Sequence, residues 1–342
     1  MQDLLKQVSR SFYLTLRILP RSVRTQLSLT YLLARASDTV ADTQLVDLHH
    51  RRDALLQIRR SIREACEGLK TRLPDFGDFA KAQKASEGQG IPAERILLER
   101  LGELLVILGE FSAEDRLRIR NVLDTITHGQ EMDLIRFGEA SADHIATLGT
   151  DEDLDTYTYQ VAGCVGEFWT HMCRAHAFPA TPLDDELLIA NGIRFGKGLQ
   201  LVNILRDLPR DLRHGRCYIP EAQLSKHGLQ PRDLLDESKI SEFRPLYDDY
   251  LRKAEEHLGA GWQYTIALPF RHVRIRLACA WPILIGIQTL KKLRRDNVLD
   301  DRLHIQISQS NTRRLILRTV LLYPNPKAWN RLSDAPISGK RP

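Results

Sequence analysis

Long apolar runs are scarce in this sequence. The longest, Leu277 to Leu290, contains Pro282 and Gln288 and falls short of the roughly 20 residues that a membrane-spanning helix needs, so it reads as a buried helix. The N-terminus has no basic segment followed by an unbroken apolar stretch, and no signal peptide is expected. Cysteine is sparse too. Cys66, Cys164, Cys173, Cys217 and Cys279 lie far apart with no CxxC or Cys/His zinc spacing; the odd count argues against a disulfide framework and suits reduced thiols of a cytoplasmic protein. Strict apolar/polar alternation is missing, which removes a sheet-based fold. So is a dinucleotide fingerprint: Gly196-Lys197-Gly198 lacks the third glycine and lies within a helical pattern.

What is present is helical periodicity almost everywhere, in 342 residues that are 43% apolar, enough for a substantial core. The net charge of +5 and pI near 8.9 suit polyanionic small molecules, an acidic membrane surface or nucleic acid equally. Helices are expected over 3–17, 22–42, 47–69, 93–109, 113–138, 151–177, 183–211, 240–265 and 271–295, with one more near Asn311 to Leu322. Ser112 with Asp115 and Thr150 with Asp153 resemble capping boxes. Thr181-Pro182 and Ile91-Pro92 place proline where a first helical turn tolerates it. Lys70 to Gly90, with Pro74, Gly77, Gly88 and Gly90, reads as a surface loop, and the last dozen residues read as a frayed tail. No inter-domain linker is visible. The expectation is an all-α single domain over 1–300, followed by a C-terminal helix and tail over 301–342.

Asp38-Thr39-Val40-Ala41-Asp42 puts two carboxylates on one helical face at the end of an apolar run, and Asp207-Leu208-Pro209-Arg210-Asp211 repeats the spacing. Either pair alone reads as a solvated helix face. Yet both sit near helix C-termini, where the dipole disfavours carboxylates, and both have basic neighbours, Arg35 and then Arg206 with Arg210. Asn203, one turn before Asp207, adds a neutral oxygen. Such a donor set suits magnesium, which takes oxygen ligands and commonly shares them with phosphate. Two such pairs facing each other, with arginines between, would hold a diphosphate and stabilise its departure from an allylic carbon.

The residues resemble the squalene and phytoene synthase family. Ser9-Arg10-Ser11-Phe12 and Leu33-Ala34-Arg35-Ala36-Ser37-Asp38-Thr39-Val40-Ala41-Asp42 are similar to its N-terminal block and first aspartate-rich motif. Tyr157-Thr158-Tyr159-Gln160-Val161-Ala162-Gly163-Cys164-Val165-Gly166 resembles its central block. Gln200-Leu201-Val202-Asn203-Ile204-Leu205-Arg206-Asp207 through Asp211, then Gly215-Arg216-Cys217-Tyr218-Ile219-Pro220, resembles the second motif and its basic extension. The order of blocks agrees over about 9–295. The resemblance implies an isoprenoid-synthase-type helical bundle around a central cavity. It implies magnesium on Asp38, Asp42, Asn203, Asp207 and Asp211, and diphosphate contacts from Arg10, Arg35, Arg206 and Arg216. Tyr157 would be catalytic, Gln200 would line the cavity, and Val161 and Val165 would form its apolar wall. Gly163 and Gly166 are read as allowing close helix packing. Gly129, Gln130 and Asp133 fall in a further similar region without an assigned role, and His128 is read as solvated or core.

The implied reaction joins two farnesyl diphosphates head to head through presqualene diphosphate, then reduces the product with NADPH to squalene. Phytoene or dehydrosqualene, formed without reduction, is the alternative. Cys279-Ala280-Trp281-Pro282 with Ile287-Gln288-Thr289-Leu290 resembles the squalene branch, whereas Gly215 to Pro220 reads more like the phytoene branch. Two departures stand out. Ala41 and Arg210 occupy positions that are usually acidic, and Pro209 is expected to end or bend the helix just before Asp211. Basic residues flanking the apolar middle of Phe270 to Arg295 read as two solvated helix ends, or alternatively as a contact with anionic lipid or NADPH phosphates. Nucleic acid is not expected as a partner, because the arginines cluster beside carboxylates rather than along one aromatic-bearing face. A cytoplasmic monomer without a transmembrane anchor, peripheral to a membrane at most, completes the expectation.

Overall fold

The computed structural model describes residues 2–9, 13–43, 46–69, 76, 79, 92–300, 302–303 and 305–333. Arg10, most of the 70–90 segment and the end of the tail lie outside the described residues. The helices are α1 (Gln2–Val8), α2 (Tyr13–Ile18), α3 (Arg21–Asp42), α4 (Leu48–Glu67), α5 (Pro92–Glu99), α6 (Leu101–Gly109), α7 (Ala113–Phe137), α8 (Asp151–Thr158), α9 (Cys164–His176), α10 (Asp185–Arg213), α11 (Glu221–Lys226), α12 (Ile240–Ala267), α13 (Val273–Leu293), α14 (Gln309–Leu322) and α15 (Pro326–Asn330). A π-helical turn (Tyr159–Gly163) joins α8 to α9, and 3-10 turns cover Pro231–Leu235 and Glu237–Lys239. The fold is all-α. Strand content among the described residues is one parallel two-residue pairing, β1 (Ala146–Thr147) on β2 (Arg216–Cys217). All five cysteines are free and buried.

The chain forms two compact units, one of residues 1–139 with 171–179 and the other of 140–170 with 180–342. In the first, α3 packs on α4 and α7; its Leu29, Leu32, Leu33, Ala36 and Val40 are fully buried, as are Leu55, Ile58 and Ile119 on the partner helices. Polar groups tie α4 to α7 beside this core: Arg59 donates to Thr127 Oγ1 at 2.8 Å, and Arg52 and Arg59 each reach Glu131 at 3.1 Å. In the second unit, α10 and α12 form the central pair and α13 packs on both.

Helix starts follow local chemistry. Thr150 and Asp153 make the full reciprocal capping box at α8, and Pro92 opens α5. Ser112 caps α7 through the Asp115 N–H at 3.2 Å, but Asp115 does not return the bond. Its buried carboxylate is taken by Arg118 at 2.9 Å and His176 at 2.8 Å. The helix expected to follow Pro182 begins at Asp185 instead, because the Asp184 side chain accepts the Leu187 N–H at 3.0 Å and supplies a better cap than proline. Likewise the helix expected across 151–177 is interrupted by the π turn, a feature common at functional sites.

Pro209 does not end its helix. Lacking an N–H, it leaves the Leu205 carbonyl without its usual donor, and the buried Tyr247 hydroxyl of α12 donates to that carbonyl at 2.9 Å. With the lost bond replaced from outside, α10 continues to Arg213 and carries Asp211 on its last turn.

One described helix, α13, is long and apolar enough to cross a membrane, but 72% of that stretch is buried in the fold. It is a core helix. Of the basic residues around it, Arg276 is buried, Arg294 bonds Glu255 at 2.5 Å and Lys292 donates to the Gln306 carbonyl at 2.6 Å.

Candidate active site

The first acidic pair closes α3. Asp38 and Asp42, four residues apart, lie on one face of its last turns, Asp42 exposed and Asp38 half-buried. Arg35 binds the Asp38 carboxylate and, with its other terminal nitrogen, Glu94 of α5 at 2.5 Å. Glu94 thus fixes the guanidinium from the opposite side. Although 38% of the Asp38 side chain is open, burial of its inner flank and then the charge of Asp42 push its carboxyl up to about 7, against the pull of Arg35.

In the second unit the acidic stripe lies on α10. Asn203, Asp207 and Asp211 recur every four residues, and the Asn203 amide donates to Gln200 Oε1 at 3.4 Å. Arg206 grips Asp207 with both ends of its fork, at 2.8 and 2.7 Å, and that bond raises the guanidinium above its ordinary range. Arg210 lies 3.5 Å from both Asp207 and Asp211. Burial pushes the Asp211 carboxyl up to about 6; Arg210 and Arg216 pull it down, while Asp207 adds to the rise. Arg210 therefore offsets part of the negative charge that Asp207 and Asp211 carry.

Tyr157, on α8, stacks on the buried Tyr218 ring with centroids 4.8 Å apart and planes at 24°. The β1–β2 pairing brings this about: it ties Ala146 and Thr147, just ahead of α8, to Arg216 and Cys217, just ahead of Tyr218. Gly215 makes the turn into β2 at φ +76°, and a Cβ there would fall 2.3 Å from the Ser141 N. The π turn then presents Val161 half-buried, and Val165 on α9 keeps 37% exposure. Gly166 allows this segment to lie directly on α10, since a Cβ would sit 1.8 Å from the Gly192 carbonyl oxygen. On the same flank Tyr159 donates to Glu167 at 2.9 Å, and Lys197 pairs with Asp155 at 2.8 Å.

The structure therefore brings together Arg35, Asp38 and Asp42 in one unit, and Gln200, Asn203, Arg206, Asp207, Asp211 and Arg216 on α10 and its continuation in the other. Sequence reasoning missed Glu94 and the stacking role of Tyr218. Glu94 has no local signal, being 59 residues from Arg35, whereas Tyr218 lies within the Gly215–Pro220 block. His128 is exposed and Gln130 buried on α7.

Among the described residues no three His, Cys, Asp or Glu side chains converge as a ready-made metal cage. Each acidic group instead offers two or three hard oxygens, and one carboxyl in each, Asp38 and Asp211, lies above the ordinary carboxylate range because burial and a neighbouring aspartate outweigh the arginines beside it. That donor set fits magnesium, which keeps places for water and phosphate, better than a metal that needs a complete protein shell.

The sequence profile of the Squalene/phytoene synthase family matches residues 5–309. A bifunctional lycopene cyclase/phytoene synthase of Arthroderma gypseum is 29% identical over 255 residues, 74% of this chain and 39% of that protein. One of the same description from Aspergillus oryzae is 26% identical over 89% of this chain and 49% of its own length. The chain thus spans less than half the length of these relatives. TcSQS in complex with the ligand BPH1237 superposes with a TM-score of 0.74 at 20% identity, covering 100% of this chain and 92% of that one. Squalene synthase HpnC from Alicyclobacillus acidocaldarius gives 0.61 at 21% identity, covering 86% and 92%. These structures share the fold.

Proposed function

The chain belongs to the squalene/phytoene synthase family, and from that premise we propose that it is a magnesium-dependent prenyltransferase joining two farnesyl diphosphates head to head through presqualene diphosphate, then yielding squalene with NADPH as reductant. The observation that carries the reading is the α10 stripe: three oxygen-bearing side chains in register, an arginine fork closed on the middle one, and the last one partly buried beside Arg210.

Magnesium held by Asp38, Asp42, Asn203, Asp207 and Asp211 would neutralise the leaving diphosphate. The chain's own residues do the rest. Arg35 and Arg206 are preorganised by Glu94 and Asp207, so their forks pay little entropy to turn toward phosphate oxygens. Arg216, at the end of the β1–β2 pairing, adds a further cation, and Arg10 another. Tyr157, its ring fixed against Tyr218, presents a hydroxyl whose place does not wander, as guiding a carbocation and its proton requires. Val161 and Val165 offer an apolar wall that does not quench a cation. Gly196 and Gly198 sit inside α10, so NADPH is read as a diffusing co-substrate without a Rossmann site.

A second reading, phytoene or dehydrosqualene formed by proton loss, is favoured by the relatives described as phytoene synthases. One experiment separates them: purified protein with magnesium, farnesyl or geranylgeranyl diphosphate, with and without NADPH, and mass analysis of the extracted hydrocarbon. Squalene only with NADPH supports the first reading. Phytoene from geranylgeranyl diphosphate, or dehydrosqualene regardless of NADPH, supports the second; no condensation product from either substrate refutes both.

A further inference from the structure

The outward face of α14 is apolar. Leu317, Val320 and Leu321 are 58, 45 and 68% exposed, and their spacing places them in one stripe. This is not the stripe by which the helix packs. On the inner side the buried Thr319 accepts the Trp281 indole N–H at 2.9 Å, and its backbone carbonyl accepts that of Trp329 at 3.1 Å. A surface helix ordinarily turns polar residues outward; here the polar residues flanking the stripe are exposed arginines, Arg313, Arg314 and Arg318, with Lys327 and Arg331 exposed on and just after α15. Between Arg302 and Ser333 the sequence contains no Asp or Glu.

Apolar side chains interleaved with arginines, in a segment without an acid, complement an anionic lipid surface, where arginines meet headgroups and leucines enter the acyl boundary. A second copy of the chain is a poor occupant, because a self-complementary interface would bring the exposed arginines of two α14 helices together. Around α13, the other basic apolar segment, Arg276, Lys292 and Arg294 are bonded to other parts of the chain, and its apolar stretch is mostly buried.

We propose that α14 is a docking surface for an anionic bilayer, with Leu317, Val320 and Leu321 seated in the membrane interface and Arg313, Arg314 and Arg318 over the headgroups. The surface stands on this geometry whichever hydrocarbon the protein makes.

The test is co-flotation of the full chain with vesicles of phosphatidylcholine alone or of equimolar phosphatidylcholine and phosphatidylglycerol. Binding to the mixed vesicles only, weakening with salt, is expected. Leu317→Gln with Leu321→Gln should lower partitioning by at least about tenfold, and Arg314→Gln with Arg318→Gln by roughly fivefold per arginine, with helical content unchanged because all four side chains are exposed. Absence of binding, equal binding to neutral vesicles, or binding unaltered by both pairs of substitutions overturns the proposal. So does a concentration-dependent dimer that the leucine substitutions abolish, which would assign the face to a second copy.

Discussion

Removing one oxygen atom, in Tyr247→Phe, tests whether the Tyr247 hydroxyl is what lets α10 pass through Pro209. The hydroxyl is buried and donates to the Leu205 carbonyl at 2.9 Å. Without it, a buried carbonyl has no donor from its own helix and none from α12. The cost of such an orphaned acceptor is about 1–3 kcal/mol, which for a chain of this length corresponds to a fall of about 1.5–4 °C in the melting midpoint. In a Pro209→Ala background the N–H of residue 209 returns to the Leu205 carbonyl, so the same Tyr247→Phe change should cost at least about 1 kcal/mol less. Thermal and urea unfolding of the four proteins in this cycle, followed by far-ultraviolet circular dichroism, measures the coupling. Equal losses in both backgrounds would show that Tyr247 contributes packing alone and that another group repairs the helix at Pro209.

Further consequences concern the site itself. Asp211 has a carboxyl at about 6 in the folded chain, above the ordinary 3.8, so the folded state binds more protons between these values and loses stability as pH rises through them. Metal-free Asp211→Asn should therefore be more stable than the parent at pH 8, by no more than about 3 kcal/mol, and should show no advantage at pH 3; a gain that persists in acid would refute the charge argument. Gly166→Ala drives a methyl group into the Gly192 carbonyl, and the expected loss of more than about 3 kcal/mol is measured by urea unfolding. Tyr157→Phe should keep the Tyr218 stack and the fold while condensation product falls by about two orders of magnitude; unchanged product flux would remove its hydroxyl from the chemistry.

What could be read from the sequence was what depends on near neighbours. The 3.6-residue period located α3, α4, α7, α10, α12 and α13 to within a few residues, and the four-residue spacing of Asn203, Asp207 and Asp211 placed all three on one stripe, as observed. Thr150 with Asp153 marked a helix start because both partners of that cap lie within one turn. The reading went astray where a distant group decides a local outcome. Pro209 looked like a helix end because its rescuer, Tyr247, is 42 residues from the carbonyl it serves. Asp115 looked like half of a capping box, yet His176, 61 residues on, competes for its carboxylate. The π turn leaves no period-breaking residue to announce it. Glu94 carries no motif at all, and its function emerges only when α5 meets the end of α3.

The most direct measurement of the central claim is diphosphate release from farnesyl diphosphate as magnesium is titrated, for the parent chain, Asp38→Asn and Asp207→Asn, with circular dichroism as the control for folding. Both acidic groups are held to serve the departure of diphosphate, so release should require magnesium and should fall by at least about a hundredfold in each variant, with helical content unchanged. Near-normal release from either variant, or release by the parent that ignores magnesium, would contradict the account.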